Sequence, residues 1–207
     1  MRITLRTVRK DSRDYEQVKK LYRRAFPLAE RAPFAQLMRW SDGRRAQMYA
    51  LYDESTLKRG QCEKAYGESD AGSRRGESVG EWIGLAYFVR YKDILYLFYL
   101  AIDESRRGSG YGSALLTAVR RHFAGMRVIL NIEEVADTAP NFRERRKRKS
   151  FYEKNGFHGM GYTVKELGVV YETLGMGETV TKSEYIALMR SLIGRFGTWY
   201  IYHCLEK

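Results

Sequence analysis

Residues 99–116 read Tyr99-Leu100-Ala101-Ile102-Asp103-Glu104-Ser105-Arg106-Arg107-Gly108-Ser109-Gly110-Tyr111-Gly112-Ser113-Ala114-Leu115-Leu116. The apolar run that begins at Ile94 stops after Ile102 at an acidic pair and turns through glycines at alternate positions. It restarts with Leu115, Leu116 and Val119 at helical spacing. This is the pattern of a strand, a glycine loop and a helix. Glycines lack a Cβ, so their backbone N–H groups can approach a ligand closely, and the first N–H groups of a helix lack intrahelical partners at its partly positive end. Together these features predict a cradle for a phosphate group. Arg106 and Arg107 add positive charge, and the Ser109 and Ser113 hydroxyls are further donors.

Spacing narrows the ligand. A Walker loop needs Lys-Ser or Lys-Thr after its last glycine, whereas Ser113-Ala114 follows here, and a dinucleotide fingerprint needs G-x-G-x-x-G rather than G-x-G-x-G. Arg107-Gly108-Ser109-Gly110-Tyr111-Gly112 matches R-x-x-G-x-G directly after a strand. It resembles the acetyl-CoA pyrophosphate loop of the GCN5-related N-acetyltransferase (GNAT) superfamily. A second stretch, Phe151-Tyr152-Glu153-Lys154-Asn155-Gly156-Phe157, resembles the GNAT helix ending F-Y-E-K-x-G-F, about forty residues further on as in the family. The resemblance covers most of the chain from Ile3 to Leu174. It is weakest over Glu54 to Ser78 and after Gly175.

The chain has 207 residues, 44% hydrophobic and 14% aromatic, which fits one globular domain with a core of its own. The run from Ile94 to Ile102 is far short of the ~20 residues of a membrane helix, and the N-terminus carries Arg2, Arg6, Arg9 and Lys10 without an apolar signal core. A soluble cytoplasmic protein with no membrane partner is expected. Cys62 and Cys204 form no CxxC and sit at no ligand spacing from His122, His158 and His203, so no metal site is expected. A net charge of +12 suits a polyanionic ligand such as CoA or nucleic acid, and equally a solvated surface.

Along the chain, residues 3 to 8 alternate like a half-buried strand, and Asp11 to Asp14 supply caps for a helix that Pro27 ends. A short helix is predicted over Pro33 to Trp40, and strands over Gln47 to Tyr52 and Val79 to Tyr91. The polar segment Glu54 to Ser78, with four glycines, reads as a flexible insertion between these strands. After the glycine loop and its helix, Arg127 to Glu133 reads as a strand. Thr138-Ala139-Pro140 reads as the start of a helix that runs to Gly156. Two closing strands, Phe157 to Lys165 and Val169 to Leu174, and a last amphipathic helix from Thr181 complete a mixed α/β fold. The resemblance implies a central twisted, mostly antiparallel sheet of about seven strands, splayed at its centre, flanked by helices and followed by a C-terminal helix.

By the resemblance, the pantetheine arm would bind the exposed strand edge of Leu100, Ala101 and Ile102, and the diphosphate would fall on Arg107, Gly108, Ser109, Gly110, Tyr111, Gly112 and Ser113. Glu133 stands where many family members keep a carboxylate that orders a water or takes the amine proton, with Glu134 adjacent as an alternative. Tyr152 matches the tyrosine that in many relatives faces the thioester sulfur. A free phenol at pKa ≈ 10 and a thiol at ≈ 8.5 make full proton transfer uphill by about 2 kcal/mol, which favours a hydrogen bond over a completed transfer. Arg145 and Arg148 precede Tyr152 on its helix face, where their charge would favour a phenolate. The block Arg143 to Lys149 also reads as a solvent-facing stripe. Many relatives carry Asn and a small residue at those two arginine positions.

The implied activity is acetyl-CoA-dependent N-acetylation of a primary amine by direct attack in a ternary complex, with acetyl-CoA as co-substrate and no metal. The alternative is a non-catalytic acyl-CoA-binding module, or a basic module bound to nucleic acid or the ribosome, which the charge permits without favouring. Acceptor identity rests with the loop after Phe26, the insertion and the hairpin near Gly175. Oligomeric state is open.

Overall fold

A computed structural model describes residues 1–28, 30–56, 80–166 and 168–192. Seven strands, β1 (Ile3–Thr7), β2 (Ala46–Asp53), β3 (Glu81–Tyr91), β4 (Ile94–Ile102), β5 (Arg127–Glu133), β6 (His158–Glu166) and β7 (Val169–Met176), form one sheet in the order β1-β2-β3-β4-β5-β7-β6. All neighbours run antiparallel except β4 and β5, which are parallel. That one parallel step needs a crossover, and α3 (Tyr111–His122) supplies it. The other helices are α1 (Tyr15–Ala25), α2 (Phe34–Trp40), α4 (Phe142–Lys154) and α5, described over 182–192.

Alternation along the strands builds a core on each side of the sheet. On one face Tyr96, Tyr99 and Ala101 of β4 join Val18, Leu21 and Tyr22 of α1, Leu37 of α2 and Tyr185, Leu188 and Leu192 of α5. On the other, Leu95 and Leu97 join Leu115, Leu116 and Val119 of α3, with Phe151 and Tyr152 of α4 packed against them. The mixed α/β class and the seven-stranded sheet agree with the sequence expectation. Most of the 54–78 insertion, Cys62, Cys204 and His203 lie outside the described residues, as does Ile193 of the last predicted helix.

Two helix starts differ from expectation. Asp14 precedes α1 without capping it; its buried carboxylate instead accepts the Tyr52 hydroxyl proton, a bond that pins α1 to β2. Asp137 and Thr138 lie in a turn, and α4 begins only at Phe142. The far end of α4 stops as predicted, and its geometry is a Schellman cap. Gly156, at φ 86°, lets its N–H reach the Glu153 carbonyl (3.0 Å) while the Phe157 N–H reaches that of Tyr152 (3.1 Å). The rings of Phe157 and Tyr152 close the cap, their centroids 5.5 Å apart. Thr181 and Glu184 form a capping box at the start of α5, with the Thr181 N–H donating to Glu184 Oε2 (2.9 Å) and the Glu184 N–H to Thr181 Oγ1 (3.3 Å).

Candidate active site

The parallel pairing of β4 with β5 covers only Ile94↔Arg127, Leu95↔Val128 and Tyr96↔Ile129. Immediately beyond, β4 bulges: Tyr87 faces Tyr99 while Phe88 faces Leu97, so Phe98 is the extra residue. A bulge bends its strand and increases the local twist, and here the two strands part. The opened wedge is a cleft of about 510 Å³ walled by Leu97–Ile102 and Leu130–Glu133. The wedge interrupts the sheet, so one cleft is lined by residues of both faces: Phe26, Tyr96 and Tyr99 from the α1/α5 side, Tyr152 from the α4 side. Leu100, Ala101 and Ile102 pair with β3 along one edge and line the cleft with the other.

The glycine loop follows directly on Ile102, the last residue of β4 in the cleft wall, and Arg107 also lines the cleft. Asp103 caps a 3-10 turn over Glu104–Arg106, accepting from the Ser105 N–H (3.1 Å) and hydroxyl (2.7 Å), and it also accepts from Arg24 (2.8 Å). The chain then passes through Gly108 (φ 77°) and Gly110 (φ 81°), conformations that L side chains rarely adopt, and enters α3. The first amide of α3 with a backbone acceptor is that of Ala114, which bonds to Gly110. Among the described residues the amides of Gly108, Ser109, Gly110, Tyr111, Gly112 and Ser113 have no backbone acceptor. Six unpartnered donors at a helix N-terminus fit an anionic diphosphate.

Individual predicted residues fare differently. Gly112 has a packing reason of its own, since a Cβ there would lie 2.9 Å from the Phe151 ring. The Tyr111 side chain turns away from the loop into the core, where its hydroxyl donates to Asp53 Oδ2 (3.1 Å); its contribution to the cradle is its amide. Arg107 lines the cleft and donates from Nε to the Ile102 carbonyl (3.2 Å), so one expected binding residue holds another in place. Arg106 is ion-paired with Glu81 and does not add the free charge expected of it.

Tyr152 lines the cleft, and among the described residues its hydroxyl has no hydrogen-bond partner. Burial pushes the phenol up to about 12, with the Arg148 charge working weakly the other way. The Arg148 charge thus acts in the expected direction, toward the phenolate, and burial outweighs it. Both guanidinium groups are engaged by Glu133: Arg145 Nη2 donates to Oε1 (2.8 Å) and Arg148 Nη1 to Oε2 (3.0 Å). Asn141 Nδ2 approaches Oε2 as well (3.5 Å). Glu133 is therefore in the cleft wall, as predicted, but as the anchor of two arginines, with both oxygens occupied. Glu134 lines a separate depression with Lys149 and Glu172. The basic block divides accordingly: Arg145, Arg148 and Lys149 pair with Glu133 and Glu172, while Arg143, Arg146 and Lys147 face outward.

A second group of cleft residues carried no sequence motif. The segment after α1 is stapled across the cleft by Tyr99, whose hydroxyl donates to the Glu30 carbonyl (3.1 Å) and accepts from the Ala32 N–H (3.0 Å). Tyr22 holds the Ala32 carbonyl (2.8 Å). Around it stand Tyr96, Tyr171, Asn131, Glu30 and Glu166. Burial raises Tyr96 and Tyr99, and lifts Tyr171 to about 12, so all three are neutral phenols. Among the described residues no cluster of His, Cys, Asp and Glu could hold a metal ion, and no helix is long and apolar enough to cross a membrane.

Residues 70–159 match the family model for the acetyltransferase (GNAT) domain. The fold is similar to a Bacteroides thetaiotaomicron structure assigned to the GNAT acetyltransferases (TM-score 0.66, 16% identity, 95% of this chain and 98% of that one). It is also similar to spermidine N-acetyltransferase from Vibrio cholerae in complex with CoA and spermine (TM-score 0.55, 13% identity, 89% and 98%). A third similar structure is an aminoglycoside 6′-N-acetyltransferase complexed with coenzyme A (TM-score 0.57, 14% identity, 88% and 99%). No curated protein sequence matches the chain.

Proposed function

We propose that this chain, whose residues 70–159 match the GNAT acetyltransferase domain model and whose fold is similar to GNAT structures, moves an acetyl group from acetyl-CoA to a primary amine by direct attack in a ternary complex. One observation carries the reading: a cleft in the splayed sheet, lined by tyrosines and by Glu30 and Glu166, is also lined by Arg107, which leads directly into the amides of residues 108–113 that have no backbone acceptor among the described residues. Acetyl-CoA supplies the acetyl group as a reactive thioester. The amides of residues 108–113 and the positive end of α3 hold the diphosphate, Arg107 and Arg148 balance its charge, and the free edge of Leu100–Ile102 takes the amides of the pantetheine arm. CoA complexes of the spermidine and aminoglycoside acetyltransferases of the same fold support the use of this co-substrate.

Tyr152 stays protonated and donates a hydrogen bond to the departing sulfur. With the phenol at about 12 and a free thiol near 8.5, complete proton transfer would cost about 5 kcal/mol, so the hydrogen bond rather than the transferred proton stabilises the thiolate. Glu133, with both oxygens on arginines, orients Arg148 at the cleft and is not the proton acceptor. Titration calorimetry with acetyl-CoA, followed by thiol release with an amine panel, tests the proposal. Binding with release supports it. No heat at millimolar acetyl-CoA overturns it, and binding without release from any amine shifts the reading to an acyl-CoA-binding module.

A further inference from the structure

Glu166 is a carboxylate in the cleft with no role assigned so far. It ends β6 and is half-buried in the cavity wall. Its Oε1 accepts from the Tyr185 hydroxyl of α5 (3.4 Å), which accepts from Asn131 Nδ2 of β5 (3.0 Å), while Asn131 Oδ1 accepts from the Thr173 hydroxyl of β7 (2.9 Å). Thr173 and Tyr185 are fully buried, so four elements fix the carboxylate through one chain of hydrogen bonds. The contrast with Glu133 is chemical: among the described residues no cation pairs with Glu166.

The groups facing it are Tyr185 from α5, Tyr96 and Tyr99 from β4 and Tyr171 from β7. All are phenols that burial keeps neutral. Glu30, from the segment after α1, lines the same cavity and acts on Tyr99 and Tyr171. Burial holds the Glu166 carboxyl above the usual carboxylate range, with the Tyr185 hydrogen bond working the other way. A carboxylate raised by burial in a cleft, and unpaired, is placed as a general base.

The geometry points to Glu166 as the group that takes the proton from the acceptor amine, an assignment that rests on the N-acetyltransferase reading above. A primary amine arrives from neutral water as an ammonium ion. One N–H proton passes to a Glu166 carboxylate oxygen; the nitrogen regains its lone pair, the carboxyl becomes neutral, and no other bond is made or broken. A raised carboxyl narrows the gap to the amine and so makes this transfer easier. Glu30 adds a second negative charge beside neutral aromatic faces, a setting that favours a cationic acceptor.

The test compares wild type with Glu166→Gln, using acetyl-CoA and two kinds of nucleophile. One is the best substrate among propylamine, putrescine and spermidine, all ammonium ions at neutral pH. The other is hydroxylamine, mostly uncharged there. The substitution lowers kcat/KM for the alkylamine about 100-fold or more, leaves hydroxylamine within a few-fold, and leaves acetyl-CoA affinity by calorimetry unchanged. In ligand-free protein labelled at the glutamate carboxyl carbons, the NMR resonance missing from Glu166→Gln titrates above the usual carboxylate range. Tyr185→Phe moves that titration further up, together with the rise of kcat/KM with pH. An unchanged kcat/KM in Glu166→Gln, or a Glu166 resonance titrating in the ordinary range, overturns the assignment and leaves acetyl transfer standing. Wild-type transfer to none of the amines removes both.

Discussion

Tyr152 is held twice by Phe157, through its backbone and through its ring. As the third residue from the end of α4 it gives its carbonyl to the Phe157 amide of the Schellman cap, its ring lies against that of Phe157, and its hydroxyl is left for the cleft. Removal of that hydroxyl touches no internal bond. Tyr152→Phe therefore keeps the fold and the acetyl-CoA affinity measured by calorimetry, and lowers kcat about 100-fold by loss of the hydrogen bond to sulfur. Because the phenol ionises only near 12, the wild-type rate shows no alkaline loss from Tyr152 below about pH 11. Glu133 stands in the other role. Glu133→Gln leaves two guanidinium groups short of their anion and lowers stability by about 1–3 kcal/mol in a denaturant melt, while the rise of kcat/KM with pH persists.

At the scale of the element, α4 is unusual in having no fully buried residue. It is held by its last turn and by ion pairs to β5 and β7, through Glu133 with Arg145 and Arg148 and through Glu172 with Lys149. Its C-terminal cap is therefore a large share of what positions Tyr152. Gly156→Ala, forced into a left-handed conformation at φ 86°, costs about 1–2 kcal/mol by thermal or urea melting and loosens Tyr152, so kcat falls as well. The two motifs that stand about forty residues apart in sequence meet in space, with the Phe151 ring filling the place of a Gly112 Cβ. The glycine loop and the F-Y-E-K-x-G-F helix end are one packed unit in the fold.

Across the whole molecule, Arg127 ties the start of β5 to the β3–β4 turn through Asp93 (2.8 Å) and to α5 through Glu184 (2.7 Å). The tie matters to the site because α5 carries Tyr185, the partner of Glu166. The Arg127 hydrogen bond, with help from the Thr181 amide, lowers Glu184 from 4.5 to about 2. A carboxyl depressed on folding contributes stability above its unfolded value and loses it as the pH falls. Thermal stability accordingly falls between about pH 4.5 and pH 2, and Glu184→Gln removes that part of the acid sensitivity while lowering stability at neutral pH. The cleft is polarised on the same scale, with Arg107 and Arg148 on the proposed cofactor side and Glu30 and Glu166 on the proposed acceptor side of a protein of net charge +12.

Short-range physics made much of this legible from the sequence. Strand, glycine loop, helix and the Gly156 stop are conformations set within a few residues, by the absence of a Cβ and by the spacing of apolar side chains, so the loop and the helix end could be read directly, while the role of Tyr152 was implied by the resemblance. The β4 bulge at Phe98, the capture of Arg145 and Arg148 by Glu133, and the line from Thr173 through Asn131 and Tyr185 to Glu166 were decided only by the tertiary structure. Their partners lie up to 54 residues apart, and no local period or motif states which polar group will face which. That pairing is settled when β5, β6, β7 and α5 converge on one side of the opened sheet and each buried polar atom must find a partner there.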